Sequence, residues 1–311
     1  MRFGTRGSAL ARWQTEHVIA ALCAHHPDLG VDIVEIRSEG DERADVPLDQ
    51  AEGTGLFTSA LEDALLREEI DVAVHSLKDL PTTSPPGLTI AAVPPRAPVE
   101  DALCSRHPGG LAGLPAGARV GTGRTRRRAQ LLMLRPGVEP VPIRGNVPTR
   151  LARVAPGDLD AVVLACAGLV RLGLDRHVSE ALPVSSMLPA PGQGALAVEA
   201  LRADPAVCRL LATLDDRATR VAATMERDLL AAMGGGCAVP VAALAGAGPR
   251  GTVVLDAGVF APDGSRAVRV RVTAASPDEA VRQAAGQLAA AGAHGILPAC
   301  AAPGGMDGGR G

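Results

Sequence analysis

Strand and helix signals pass twice through the first half of this chain in the same order, and that repetition limits its fold more than any other feature. Gly4-Thr5 followed by Gln14 recurs as Gly121-Thr122 followed by Gln130, Ile36-Arg37 recurs as Ile143-Arg144, and the apolar run from Asp71 recurs as the run from Asp160. Short β-branched runs alternate with helical spacing throughout, the pattern of a parallel sheet flanked by helices. In the first pass Phe3-Gly4-Thr5 closes a strand, Ser8 caps a helix carrying Leu10, Trp13, His17 and Ala21, Val31–Ile36 is a strand, Ser59–Leu66 a helix, and Ile70–Val74 a strand leading into His75-Ser76-Leu77-Lys78-Asp79. In the second, Ala118–Val120 is a strand, Gly121-Thr122-Gly123 a turn, Arg124–Leu134 a helix, Pro140–Ile143 a strand, and Asp160–Leu164 another strand. Two α/β units of similar topology follow, and such a pair binds its ligand between the units, at the carboxyl ends of the strands.

The remainder changes character. A helix through Met225 and Leu229 ends at Gly234-Gly235-Gly236-Cys237, and three strand-like runs follow at Val239–Leu244, Thr252–Val259 and Ala267–Val272, with Pro262-Asp263-Gly264 turning between the last two. Ser276-Pro277-Asp278-Glu279 has capping-box spacing with Pro at the first helical position. A small α+β unit is expected here. The partition is residues 1–94 with 189–214, residues 95–188, residues 215–300, and a Gly-rich tail, 301–311, expected to be disordered.

Composition removes several functions. The 311 residues include three Phe, one Trp and no Tyr, and the net charge is −3, so neither a base-stacking surface nor a global basic field for nucleic acid is available. The N-terminus lacks an apolar signal core and no run of eighteen apolar residues occurs, so a cytoplasmic protein without a membrane partner is expected. Six cysteines, at 23, 104, 166, 208, 237 and 300, show no C-x-x-C spacing, which points away from bound metal and from a disulfide framework.

The basic residues are thirty Arg and a single Lys, Lys78. Arg6, Arg124, Arg126, Arg127, Arg128, Arg144, Arg150 and Arg171 all fall near the carboxyl ends of strands, where helix N-termini add positive potential. Crowded like charges repel unless an anion neutralises them, so this set suits a small ligand with several carboxylates. Lys78 is followed directly by Asp79. In an arginine-lined cleft Asp79 keeps its charge and could stabilise a cationic intermediate or pass a proton, against the plainer reading of an Asp capping the next helix. His75 reads as a structural hydrogen-bonding residue. Cys237, after three glycines, reads either as an exposed covalent attachment point or as a packed thiol, whereas Cys23, Cys104, Cys166 and Cys208 lie in apolar patterns. An enzyme and a non-enzymatic protein that binds or senses a small polycarboxylate both fit.

The segments Gly4-Thr5-Arg6-Gly7-Ser8, Gly55-Leu56-Phe57, His75-Ser76-Leu77-Lys78-Asp79-Leu80-Pro81, Gly121-Thr122 with Arg126-Arg127, Arg144-Gly145-Asn146-Val147 with Thr149-Arg150, Ala167-Gly168-Leu169, Gly192-Gln193-Gly194 and Gly235-Gly236-Cys237 together resemble the porphobilinogen deaminase (hydroxymethylbilane synthase) family. The resemblance implies two periplasmic-binding-protein-like α/β domains with a small C-terminal α+β domain. It also implies a dipyrromethane cofactor joined to Cys237 by a thioether, and stepwise condensation of four porphobilinogen molecules with release of ammonia, carried out by a monomer. On it, Asp79 is the catalytic carboxylate with Lys78 beside it. Arg126, Arg127, Arg144, Arg150 and Arg171 bind acetate and propionate groups, supported by Arg6, Ser8, Gln14, Ser76, Thr122 and Gln193. The chain departs from the family pattern at Gln50 and Thr54, where lysines are usual, and at Arg124, where a small polar residue is.

Overall fold

The computed structural model describes residues 1–36, 58–235 and 239–297. The expectations for Arg37, the 45–54 loop, Gly55-Leu56-Phe57, Gly236-Cys237 and the tail lie outside these residues. The first pass forms β1 (Arg2–Thr5), α1 (Ala9–His25), β2 (Asp32–Glu35), α2 (Ser59–Leu66), β3 (Val72–Ser76) and β4 (Leu88–Ala92). The second forms β5 (Asp101–Ser105), β6 (Arg119–Thr122), α3 (Thr125–Leu134), β7 (Glu139–Pro142), α4 (Val147–Ala152), β8 (Ala161–Ala165), α5 (Cys166–Arg171) and β9 (Glu180–Leu182). The chain then returns through β10 (Leu196–Leu201) and α6 (Pro205–Leu211) before α7 (Arg217–Ala232), β11 (Val241–Ala247), β12 (Val253–Phe260), β13 (Ala267–Ala274) and α8 (Pro277–Ala290).

The two α/β sheets share one topology, β2-β1-β3-β10-β4 and β7-β6-β8-β5-β9. They are mixed, not parallel as the sequence pattern suggested: β10 runs antiparallel to β3 and β4, and β5 antiparallel to β8 and β9. The cause is the double crossing of the chain, since each sheet takes its reversed strand from the segment that has just crossed between the units. Gly121 and Thr122 also belong to strand β6 and not to a turn. The recurring Gly-Thr pair has a packing origin. A Cβ at Gly4 would collide with Ile70 and Leu61, and one at Gly121 with Leu159, Val162 and Ile143, so only glycine lets these strands lie against their covering residues.

The third unit is an antiparallel β11-β12-β13 meander with α7 and α8 on one face, closed by Met225, Leu229, Leu255, Val259 and Leu288. Ser276 caps α8 by accepting from the Glu279 amide, while the Glu279 carboxylate accepts from Ala275 N. Glu226 on α7 ties this unit to both crossing segments. Its fully buried carboxylate takes the Arg96 guanidinium at 2.7 and 2.8 Å and the amides of Gly192 and Ala245 at 2.7 and 2.9 Å. Four donors on one buried carboxylate offset its desolvation. Among the described residues no helix is long and apolar enough to cross a membrane.

Candidate functional site

Where β3 ends, Leu77–Asp79 forms a single 3₁₀ turn and no helix follows, so Asp79 is not a helix cap. The turn is held from two sides. Leu77 N donates to Ala195 O at 3.0 Å, and Arg227 on α7 donates to the carbonyls of Leu77, Leu80, Pro81 and Thr82. Lys78 and Asp79 therefore project from a fixed backbone into the cleft between the two α/β units.

Two cavities meet there. One, of about 350 Å³, runs along Lys78–Thr83, Arg126 and Gln193 to Leu230, Gly235 and Val239 of the third unit. The other, of about 490 Å³, is lined by Arg6, Ser8, Gln14, Ser76, Arg144, Asn146, Arg150 and Arg171. Lys78, Asp79, Arg124 and Arg127 line both. The first turns of α1, α3, α4 and α5 lie beside these cavities, and the positive ends of their dipoles add to the potential of the arginines.

Charge in the cleft shifts its titrating groups. Burial and the nearby Arg127 push the Lys78 ammonium down to about 7, against the opposing pull of Asp79. Asp79 stays below the usual carboxylate range even though burial works against it, because Arg124, Lys78, Arg6 and Arg150 all favour its ionised form. Arg124 is the strongest of these and bonds it directly, Nη2 to Oδ1 at 2.7 Å. Burial also lowers Arg150 and Arg171 to about 10 each.

The described residues named from the sequence take up definite positions around these cavities, while Cys237 lies outside the described residues. Arg126 and Arg127, 5% and 4% exposed, share the carboxylate of Asp101 through bonds of 2.8 and 2.9 Å. Asp101 is fully buried and held far below its ordinary pKa by these two guanidiniums, so the trio presents one net positive charge to the cleft. Gln193 links this trio to the Leu77–Asp79 turn: its Nε2 donates to Asp101 at 2.9 Å and its Oε1 accepts from Lys78 at 3.2 Å. Gln14 donates to Ser76 Oγ at 2.8 Å, and Ser8 caps α1 by accepting from Ala11 N. Arg150 donates to Gly145 O at 2.7 Å. Arg171 donates to Gly194 O at 2.8 Å and lies 5.9 Å from the ring centre of Trp13 across the interface. Thr122 lines neither cavity; its hydroxyl accepts from Arg124 N at 3.4 Å.

Two buried nitrogens of Arg144, Nε and Nη2, have no hydrogen-bond partner although they sit in the wall of the larger cavity. Sequence reading missed Asp101, which no local motif distinguishes from other acids. His75 does not make the hydrogen bond expected of it. Its Nε2 is 3.3 Å from Glu199 Oε2 but out of bonding alignment. Cys104 and Cys166 are buried and their thiols are pushed up to about 12 and about 11, so neither is a thiolate at neutral pH.

Known proteins match this arrangement over nearly the whole chain. Residues 1–209 fit the family model of the porphobilinogen deaminase dipyromethane cofactor binding domain, and residues 220–291 that of the porphobilinogen deaminase C-terminal domain. The chain belongs to the porphobilinogen deaminase family. Its relatives named porphobilinogen deaminase include one from Acidothermus cellulolyticus, 50% identical over 96% of this chain and 91% of its own length, and one from Acidithiobacillus ferrooxidans, 44% identical over 96% and 97%. One from Roseiflexus is 51% identical over 78% of this chain and 80% of its own. Membership of the porphobilinogen deaminase family makes the protein an enzyme, a transferase of tetrapyrrole biosynthesis with a dipyrromethane cofactor domain, and supports that reading over a non-enzymatic binding or sensing protein. Among solved structures, a putative methionine-binding lipoprotein from Bacillus subtilis aligns with 69% of this chain and 89% of its own at a TM-score of 0.42 and 12% identity.

Proposed function

We propose that the protein joins four porphobilinogen molecules head to tail, releasing ammonia and hydroxymethylbilane, on a dipyrromethane held by Cys237. The observation that carries this reading is Arg144, a residue of the larger cavity's lining with two buried nitrogens that have no hydrogen-bond partner. Buried guanidinium nitrogens left unpaired are costly, and a ligand carboxylate is the group that would satisfy them. The residues fit the cofactor on the same ground. Its carboxylates match Arg144, Arg150, Arg6 and the net charge of the Arg126–Arg127–Asp101 trio, while Gly235, two positions before Cys237, lines the smaller cavity.

When bound, the dipyrromethane supplies the nucleophilic pyrrole carbon to which the first substrate is joined. The protein's own residues do the rest. Asp79, at the junction of the cavities, holds the pyrrole N–H of the substrate ring and offsets the positive charge that develops there as the protonated amino group leaves the aminomethyl carbon as ammonia, that carbon staying on the ring to form the new bond. Lys78, titrating near 7, moves toward its charged form when carboxylates enter, and Gln193 fixes its position. Arg6, Arg126, Arg127, Arg144, Arg150 and Arg171 hold the acetate and propionate groups, with Ser8, Gln14 and Ser76 shaping the walls and Thr122 acting from behind them through its bond to Arg124 N. With domains of residues 1–94 and 189–214, 95–188, and 215–300, the smaller cavity draws lining residues from all three. The free thiols at Cys23, Cys104, Cys166 and Cys208 accord with a cytoplasmic setting, and the family likeness favours a monomer.

Arg144→Gln tests the cradle. Loss of one charge-assisted bond of about 1.5–3 kcal/mol is expected to raise KM for porphobilinogen roughly 10- to 100-fold, measured by initial rates on the holoenzyme. An unchanged KM would show that Arg144 meets no ligand carboxylate.

A further inference from the structure

Arg124 occupies a position that neither helix chemistry nor local charge favours. It is the N-cap of α3, where Ser, Thr, Asp or Asn would normally accept an amide of the first turn, and no side chain caps the helix. A cation there also opposes the helix dipole. It is crowded by further cations, since its charge lowers the pKa of Lys78, Arg126 and Arg150. Against all this, its guanidinium reaches out of the helix end to Asp79 Oδ1 at 2.7 Å, where both side chains stand at the meeting point of the two cavities.

We propose that Arg124 is a positioning residue for the reaction: its guanidinium fixes the Asp79 carboxylate at the junction of the two cavities and keeps it ionised for the incoming substrate. This rests on the reading of Asp79 as the catalytic carboxylate. The groups facing Asp79 are Lys78 on its own turn, Arg6 after β1, Arg150 on α4 and Arg124 at the start of α3, and of these Arg124 makes the 2.7 Å bond to it. Both partners are about a third exposed, with side chains 28% and 31% accessible, so a substrate can reach the pair without unfolding the loop.

The sign of the effect follows. Asp79 works ionised, so activity falls on the acid side as it takes up a proton. Removing the guanidinium that favours its charge raises its pKa, and the acid limb moves to higher pH.

The test compares the wild-type holoenzyme with Arg124→Gln, Arg124→Lys and Asp79→Asn. Two quantities are read for each: the pH dependence of kcat/KM for porphobilinogen, and the infrared titration of the carboxyl band that disappears in Asp79→Asn. For Arg124→Gln both the acid limb and the infrared midpoint are expected to rise by about one pH unit, and for Arg124→Lys by less, because a point charge restores the field but not the fork. An unmoved limb and midpoint in Arg124→Gln overturns the proposal. So does a KM increase equal at every pH, which would make Arg124 a receptor for substrate carboxylates. If Asp79→Asn turns over at the wild-type rate, the reading of Asp79 fails instead, whatever Arg124 does.

Discussion

Asp79→Asn is expected to lower kcat on the order of 10²- to 10⁴-fold, the usual contribution of a positioned carboxylate, with substrate still bound. Asparagine keeps the size of the side chain and an oxygen for Arg124, but it carries no charge to set against a pyrrole that becomes cationic. The surroundings explain the size of the loss. Asp79 ends a turn clamped by Arg227 and Ala195 O, so the backbone does not move to bring another acid into place. No other Asp or Glu lines either cavity among the described residues. The check is hydroxymethylbilane formation by the purified variant, alongside its thermal midpoint. Wild-type turnover in a folded variant contradicts the assignment.

Asp101→Ala is expected to be the most damaging change to stability. It leaves Arg126 and Arg127, both nearly inaccessible, without their shared carboxylate, and removing one member of a buried pair costs about 3–5 kcal/mol. Asp101→Asn separates charge from shape and should recover only part of the loss. Because the folded Asp101 titrates well below its reference value of 3.8, its contribution is complete above that value, begins to fade below it, and is lost only as pH falls through the lower folded value. Urea denaturation at neutral pH and near pH 3 checks both statements: a wide gap between wild type and Asp101→Ala at neutral pH, narrowing in acid. Equal midpoints at neutral pH would remove Asp101 from the framework of the site.

Much of this was legible in the sequence, and for physical reasons. The doubled Gly-Thr pairs reported twin strands because a Cβ at Gly4 or Gly121 has nowhere to go. The crowd of arginines reported a cationic cleft, and Arg6, Arg124, Arg127, Arg144, Arg150 and Arg171 do line one cavity. Lys78 stood out against thirty arginines, and its place at the junction suits a compact ammonium whose charge is set by what enters the cleft. What escaped was non-local. The short apolar runs of β5 and β10 carry no period that reveals reversed pairing. Asp101 and Glu226 look like any other acids until the fold surrounds them with Arg126 and Arg127, or with Arg96 and two backbone amides. The Arg124–Asp79 pair joins residues 45 positions apart on different units, which no spacing rule anticipates.

Intact mass of the purified protein tests the central claim most directly. The chain from a haem-competent host is expected to carry an adduct of two pyrrole units, to grow by further pyrrole units when porphobilinogen is added, and to lose the adduct entirely in Cys237→Ser. An unmodified wild-type chain, or an adduct that survives Cys237→Ser, would contradict it.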